Sequence, residues 1–326
     1  MKKAVVTGAT GCIGRNLIDI LEKELWDITV LHRKSSDLSR LKGCKVKLVE
    51  TNFYDLDSVT NAIPENTDAI FHIAANLSHD PREQEAQWKD NVLATKNLAE
   101  AAIQKKVSRF IFTSTGATTS LYFKGEEDCA KETDGYIRTK RQSELELYKC
   151  IPQGLDYVVL QPCIVIGKYD YNNYGQIFKL LKAGKLTRTF HGNFVFGDAE
   201  HIAQAHLNAF NKGKKHEHYF LGGVYSSWVD LSNTGAKIMG LKQNVKSVSY
   251  PILKLASYFL FLYAKITGKK PLLTPQIVNL VGRGSYDMNI YLKSKSKLDL
   301  DFDCERQSME KMVKNCINWM TAEGKL

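Results

Sequence analysis

The amino-acid sequence predicts an α/β fold: a doubly wound parallel sheet with helices on both faces and a smaller, mainly C-terminal region. Up to about residue 160, short apolar runs alternate with longer amphipathic stretches, as repeated strand-helix-strand units require. The first run, Lys3 to Thr7, passes directly into Thr7-Gly8-Ala9-Thr10-Gly11-Cys12-Ile13-Gly14, a glycine-rich turn that opens a helix. Beyond Pro162 the rhythm changes, which marks the second region.

Parallel strands are covered on both faces and therefore read as unbroken apolar runs. Lys3–Thr7, Ile28–His32, Val46–Val49, Ala69–Ile73, Arg109–Thr113 and Tyr157–Gln161 have that character. Between them, Cys12–Glu24, Leu56–Ile63, Trp88–Lys105 and Tyr136–Lys149 carry helical periodicity. The stretch from Gly167 to Gly192 reads as loop and helix, with a tyrosine-rich turn (Tyr169, Tyr171, Tyr174) placed to face a substrate. Phe194–Phe196 and Tyr219–Leu221 then read as strands, and Ala199–Asn211 as a helix.

From Ile252 to Ile266, only Lys254, Ser257 and Lys265 interrupt an apolar run. That is short of the about 20 residues a membrane span needs. The expectation is a buried or substrate-covering helix; the alternative is an interfacial helix touching a membrane through residues 252–270, flanked by Lys265, Lys269 and Lys270. Gly268 and Pro271 stop it.

With 44% hydrophobic and 25% charged residues, the 326-residue chain has an ordinary soluble composition. Its seven cysteines are odd in number, scattered and free of CxxC spacing, which points to reduced thiols in a cytoplasmic protein and to no metal site. The N-terminus enters a strand at Lys3, so no signal peptide is expected. The net charge of +10 lies in the C-terminal third, where residues 231–298 hold eleven basic side chains against the single acid Asp287. Such a bias suits a solvated face, an anionic substrate or an anionic membrane surface. No recognition module accompanies it, so nucleic acid is not an expected partner.

The glycine turn has physical work to do. Gly8 permits a tight turn, Gly11 lets the backbone approach a pyrophosphate, and Gly14 lets helix and strand pack closely. Together with the following helix N-terminus this predicts a bound dinucleotide. At the end of the second strand, Arg33 stands where an acid would accept from the ribose hydroxyls, and no acid appears until Asp37. A cation there pairs with a 2′-phosphate, so NADP(H) is expected over NAD(H). Tyr136 and Lys140, four residues apart on one helix face, pair a phenol with an ammonium. A neighbouring cation is expected to lower the phenol's pKa toward neutrality, where it exchanges protons with an alcohol.

On these motifs the chain closely resembles the extended short-chain dehydrogenase/reductase family, along nearly its whole length. The matching runs are Thr7 to Gly14, His72-Ile73-Ala74-Ala75, Asn91 to Asn97, Ile111-Phe112-Thr113-Ser114-Thr115, the Tyr136 and Lys140 pair with Glu144, and Leu160-Gln161-Pro162 leading to Gly167. The resemblance implies a Rossmann fold. It also implies Tyr136 as general acid or base, Lys140 as ribose ligand, and Thr115 as the hydroxyl that polarises the substrate oxygen, with Ser114 as its neighbour. Cofactor contacts would further come from Gly8, Thr10, Gly11, Cys12, Ile13, Gly14, Arg33, Asn52, Phe53, Ala74, Ala75, Thr113, Pro162 and Ile164.

Two departures stand out. Asn52 replaces the aspartate that usually lies near the adenine, and an acidic patch (Glu126, Glu127, Asp128) occupies a short link between Thr115 and Tyr136. Arg33 and residues 253–273 look most like the dihydroflavonol reductase and hydroxysteroid dehydrogenase branches. The implied function is an NADPH-dependent oxidoreductase that reduces a ketone or aldehyde, or oxidises the matching alcohol, on a fairly apolar small molecule. A nucleotide-sugar epimerase or dehydratase with tightly bound NAD, and a non-enzymatic NADPH sensor, are the alternatives. Residues 1–166 and 193–222 would hold the dinucleotide, and 167–192 and 223–326 the substrate. Family members often form homodimers through the helices here at Trp88–Lys105 and Tyr136–Lys149. Cys163, His72 and His79 are expected to be structural.

Overall fold

Seven parallel strands form the main sheet of the computed structural model, which describes residues 1–119, 131–132, 134–171, 173–268, 274–275, 278–279, 302 and 308–326. They are β1 (Lys3–Thr7), β2 (Asp27–His32), β3 (Lys47–Glu50), β4 (Ala69–His72), β5 (Arg109–Thr113), β6 (Tyr157–Pro162) and β10 (His218–Leu221). Their order is β10-β6-β5-β4-β1-β2-β3. The chain therefore reverses its direction of travel between β1 and β4, the switch point that leaves a crevice at the carboxyl ends of an open sheet.

Register explains the two-sided burial. Val30, Val6, Phe71, Ile111 and Val158 stand in one row across five strands and point into the core with α1 (Cys12–Lys23) and α7 (Ala199–Lys212). One residue back, Val5, Ile70, Phe110 and Tyr157 form the row on the opposite face, under α2 (Leu56–Ala62), α4 (Ala94–Gln104) and α5 (Gly135–Lys149). Because side chains alternate with period two, both rows must be apolar, which is why these strands show no polar alternation.

Arg109 fixes the amino end of β5. Its guanidinium donates to both carboxylate oxygens of Asp156 at 3.1 Å and to the carbonyls of Ala209, Phe210 and Gly213 at the end of α7. Helix ends leave carbonyls short of partners, and here one side chain reaches three carbonyls at and just past the helix end.

The helix expected over Trp88–Lys105 differs in detail. It begins earlier, as α3 (Gln84–Gln87), widens into a π-helical turn at Trp88–Leu93, and continues as α4. The turn carries Asn91, whose side chain accepts from the Asn76 amide at 2.7 Å and donates to the Asn76 carbonyl and to Thr139 Oγ1. A helix with an extra residue in one turn commonly sits beside a functional site, and this one ties the loop after β4 to α5.

The second region has more strand than expected. β7 (Ile164–Ile166), β9 (Asn193–Asp198) and β11 (Val224–Ser227) form a mixed three-stranded sheet. β8 (Arg188–Phe190) lies within the stretch expected to be loop and helix and pairs with β12 (Lys246–Val248). These strands are three or four residues long apart from β9, too short for periodicity to register. Their core gathers Phe178 of α6 (Gln176–Lys182), Leu231 of α8 (Trp228–Ile238) and Val313 of α10 (Met309–Ala322) around Phe196 and Trp228.

The apolar run at 252–266 forms α9 (Tyr250–Thr267), which is not buried, and the exposure leaves the substrate-covering and interfacial expectations standing. Ser257 and Ala264 are its buried residues, while most of its large apolar side chains face solvent. No helix among the described residues is long and apolar enough to cross a membrane. Cys129, Cys304, the Glu126-Glu127-Asp128 patch and Lys269, Lys270 and Pro271 lie outside the described residues.

Candidate active site

The turn after β1 is built so that only glycine fits. Gly8 has φ +71°, and a Cβ on it would lie 2.6 Å from the Ala74 amide nitrogen, where the chain leaving β4 crosses. A Cβ on Gly14 would lie 2.2 Å from the Gly8 carbonyl oxygen, so α1 can approach β1 only without a side chain there. Gly11 caps α1 with no side-chain bond, leaving the first amides of a 12-residue helix open to an anion.

A cavity of about 1080 Å³ extends from this turn along the carboxyl ends of the strands. Gly8, Thr10, Gly11, Cys12 and Ile13 line it, with Arg33, Phe53, Ala74 and Ala75. So do Thr113, Thr115, Tyr136, Lys140, Pro162 and Ile164. Gly14 and Asn52, of the residues expected here, do not. Gly14 contributes by packing. The Asn52 side-chain oxygen accepts from the Tyr54 amide at 3.2 Å, closing a local turn.

Lys140 is 1% exposed, and its Nζ lies 4.1 Å from the centroid of the Phe112 ring. It has no hydrogen-bond partner among the described residues. Burial pulls its pKa down to about 7, against the opposing charge of Glu144. An ammonium without acceptors is costly, and a ligand that brings hydroxyls would satisfy it. With the glycine cradle, this orphaned donor fits a dinucleotide.

Tyr136 corrects an expectation. Burial pushes its pKa up to about 12; a hydrogen bond with Thr115 works the other way, and the Asp134 charge adds to the rise. The lysine was expected to favour the phenolate; the phenol responds instead to burial, Thr115 and Asp134. Thr115 Oγ1 also accepts from the Ala117 amide at 3.4 Å. Ser114 is buried and engaged with Thr118 Oγ1 at 3.0 Å, which leaves Thr115 as the hydroxyl next to the phenol. Glu144, fully buried, anchors α5 by accepting from Thr118, Gln161 and Arg141 at 2.6, 3.2 and 2.8 Å.

Two pairs escaped sequence reasoning. Asp134 caps α5 by accepting from the Ile137 amide, and its other oxygen lies 2.6 Å from His79 Nδ1. The His79 ring stands edge-on to Tyr136, centroids 5.6 Å apart, and both line the cavity. Arg33 is not a free cation: its guanidinium lies 3.0 Å from Asp90, which also accepts from Tyr54 Oη and Asn76 Nδ2. An aspartate ahead of an amphipathic run signals a cap, but nothing in the chain's local pattern announces these distant partners.

Other residues take quieter places. His72 is buried between Thr7 Oγ1 and Thr95 Oγ1, at 2.8 and 2.9 Å, and burial pulls its pKa down to about 3, so it braces the strand ends as a neutral ring. Cys163 is buried at the cavity wall. Of the three tyrosines expected to face substrate, Tyr174 lines the cavity; Tyr169 packs on Trp319 and Arg15, and Tyr171 against Arg40 and Lys179. Further along, the wall gathers the apolar Ile177, Leu186, Phe190, Phe194, Trp228 and Leu253, together with the polar Asn173, Arg188 and Thr189.

A dinucleotide cradle at a switch point and a Thr-Tyr-Lys group beside it define a Rossmann-fold oxidoreductase of the extended short-chain type. The chain belongs to the NAD dependent epimerase/dehydratase family, which residues 4–222 match. Sterol demethylase protein B of Methylococcus capsulatus is 26% identical over 230 residues, covering 68% of this chain and 70% of that protein. The 3-beta-hydroxysteroid dehydrogenase of Mycolicibacterium neoaurum is 22% identical over 346 aligned positions, covering 98% and 91%. The second agrees with the hydroxysteroid dehydrogenase branch expected from the sequence. The Bordetella bronchiseptica enzyme WbmH, solved in complex with NAD+, shares the fold with a TM-score of 0.76 at 20% identity, over 99% of this chain and all of that one.

Proposed function

We propose that the protein is an NADPH-dependent carbonyl reductase that acts on an apolar ketone or aldehyde, or oxidises the matching alcohol. The observation that carries this reading is the buried phenol of Tyr136, bonded to Thr115 in a cavity whose far wall is mainly apolar. Nicotinamide, when bound, supplies the hydride. Thr115 orients the substrate oxygen. Tyr136 gives that oxygen its proton, and its raised pKa keeps the phenol protonated at neutral pH, the state a donor needs. Lys140 holds the dinucleotide through donors that the protein leaves unpaired.

Arg33 supports NADPH because an exposed guanidinium can exchange Asp90 for a phosphate at little cost. Relatives named for sterol demethylation and 3-beta-hydroxysteroid dehydrogenation support an apolar substrate. In this reading residues 1–166 and 193–222 hold the dinucleotide and the rest holds substrate, with Ile166, Phe194 and Phe196 of the first set packing into the core around Trp228.

Asp90 favours a second reading. Its carboxylate beside Arg33 suits an unphosphorylated ribose, as in an epimerase that keeps NAD through its cycle. The test is consumption of NADPH and NADH against a panel of apolar aldehydes, ketones and nucleotide sugars. NADPH-specific turnover of the apolar carbonyls is the expected result. NAD released on denaturing the protein, with turnover of nucleotide sugars alone, would establish the second reading instead.

A further inference from the structure

α9 is built inside out for a helix on a water-soluble surface. Its inward stripe is made of Leu253, Ala256, Ser257, Phe261 and Ala264, spaced three or four residues apart, and the two fully buried members, Ser257 and Ala264, are small. The bulk points outward: Ile252 is 62% exposed, Phe259 65% and Ile266 76%, with Leu255, Leu262 and Tyr263 also open. Scattered exposed apolar residues need no explanation, but a contiguous face of this kind marks an interaction surface.

Charge narrows the partner. Lys254 and Lys265 sit on the helix, and just before it Lys246 is the register partner of Arg188, both exposed. In the sequence, residues 231–298 hold eleven cations, these three lysines among them, and one acid. A second copy of the chain would bring Lys254 and Lys265 of one α9 against those of another, and α9 itself carries no carboxylate to pair them, so self-association through this helix is opposed by its own charge. A surface that is apolar inside and anionic outside complements both features at once.

We propose that α9 docks the protein on an anionic lipid surface, lying in the headgroup layer with its large apolar side chains inserted and its lysines among the phosphates. No span is involved, since the helix is not apolar enough to cross. Leu253, on the inward stripe of the same helix, lines the cavity. Docking therefore sets the cavity against the bilayer, where an apolar substrate would partition. The surface assignment does not depend on which reaction the cavity performs.

The experiment is flotation of the full chain with vesicles of phosphatidylcholine alone and of equimolar phosphatidylcholine and phosphatidylglycerol. Wild type should float with the mixed vesicles and less with phosphatidylcholine alone. The pair Phe259→Gln and Leu262→Gln, on exposed positions outside the cavity, should weaken flotation about tenfold or more with an unchanged far-ultraviolet spectrum. The pair Lys254→Gln and Lys265→Gln should remove the preference for the anionic vesicles. Wild type that stays with neither vesicle, or flotation undiminished in the Phe259 and Leu262 pair, overturns the proposal. So does a concentration-dependent dimer in sedimentation that the same pair dissociates, which would give this face to a second copy.

Discussion

Lys140 points its ammonium at the face of Phe112, 4.1 Å from the ring centre, and at no oxygen among the described residues. The ring offers a weak partner where hydroxyls would offer strong ones. With its pKa drawn down to about 7 from an ordinary 10.5, the free protein carries a neutral amine above pH 7 and a charged one below. Binding that requires the charged form must then take up a proton at higher pH.

NADPH affinity should accordingly be flat below about pH 7 and weaken by up to roughly tenfold per pH unit above it. Fluorescence titrations across that range check this, and Lys140→Met should bind more weakly with the slope gone. The same linkage acts on stability. Between pH 7 and 10.5 the unfolded chain holds a proton that the folded one does not, so this group makes the cofactor-free protein more stable as pH rises through that window.

Tyr136→Phe should keep NADPH binding and lower kcat by about 10²- to 10⁴-fold, the usual contribution of a positioned proton donor. Thr115→Val should lower kcat in the same direction, whereas Ser114→Ala, whose hydroxyl is spent on Thr118, should change it little. Single-turnover rates with a matched cofactor titration distinguish these outcomes. Equal losses at Ser114 and Thr115 would contradict the assignment.

Arg33→Ser should reduce the preference for NADPH over NADH by about 10- to 100-fold, the worth of a charge-assisted bond. Asp90→Asn should shift preference the other way, because it removes the carboxylate that competes with a 2′-phosphate for Arg33. Ratios of kcat/KM for the two cofactors measure both.

Glu144→Ala should destabilise the fold by about 3–5 kcal/mol, since it strips a buried ion pair with Arg141 of one partner. Gly14→Ala should cost about 1–3 kcal/mol through overpacking against the Gly8 carbonyl, and dinucleotide binding should fall with it. Thermal melts with and without NADPH separate the two effects.

What the sequence disclosed follows from how locally each feature is encoded. The strands from β1 to β6 were legible because two-sided burial leaves an unbroken apolar run, and the cradle was legible because Gly8, Gly11 and Gly14 sit within one turn and helix start. Tyr136 and Lys140 share a helix face and announced themselves by spacing. Asp90 and Asp134 did not, because each meets its partner across loops that only the finished sheet brings together. The direction of the Tyr136 shift was likewise hidden: spacing reveals a neighbouring cation, but not how far water has been removed from both. In α9, composition gave the helix and said nothing of which side turned outward.

β5 divides its labour along its length. Arg109 at its start ties together Asp156 and the end of α7, whereas Thr113 at its finish opens on the cavity. A designer could therefore keep Thr115 and vary its neighbours at that finish to retune selectivity without touching the clamp, and could reinforce the clamp to buffer the mutational load of doing so. The strand behaves as a chassis with one structural end and one replaceable end.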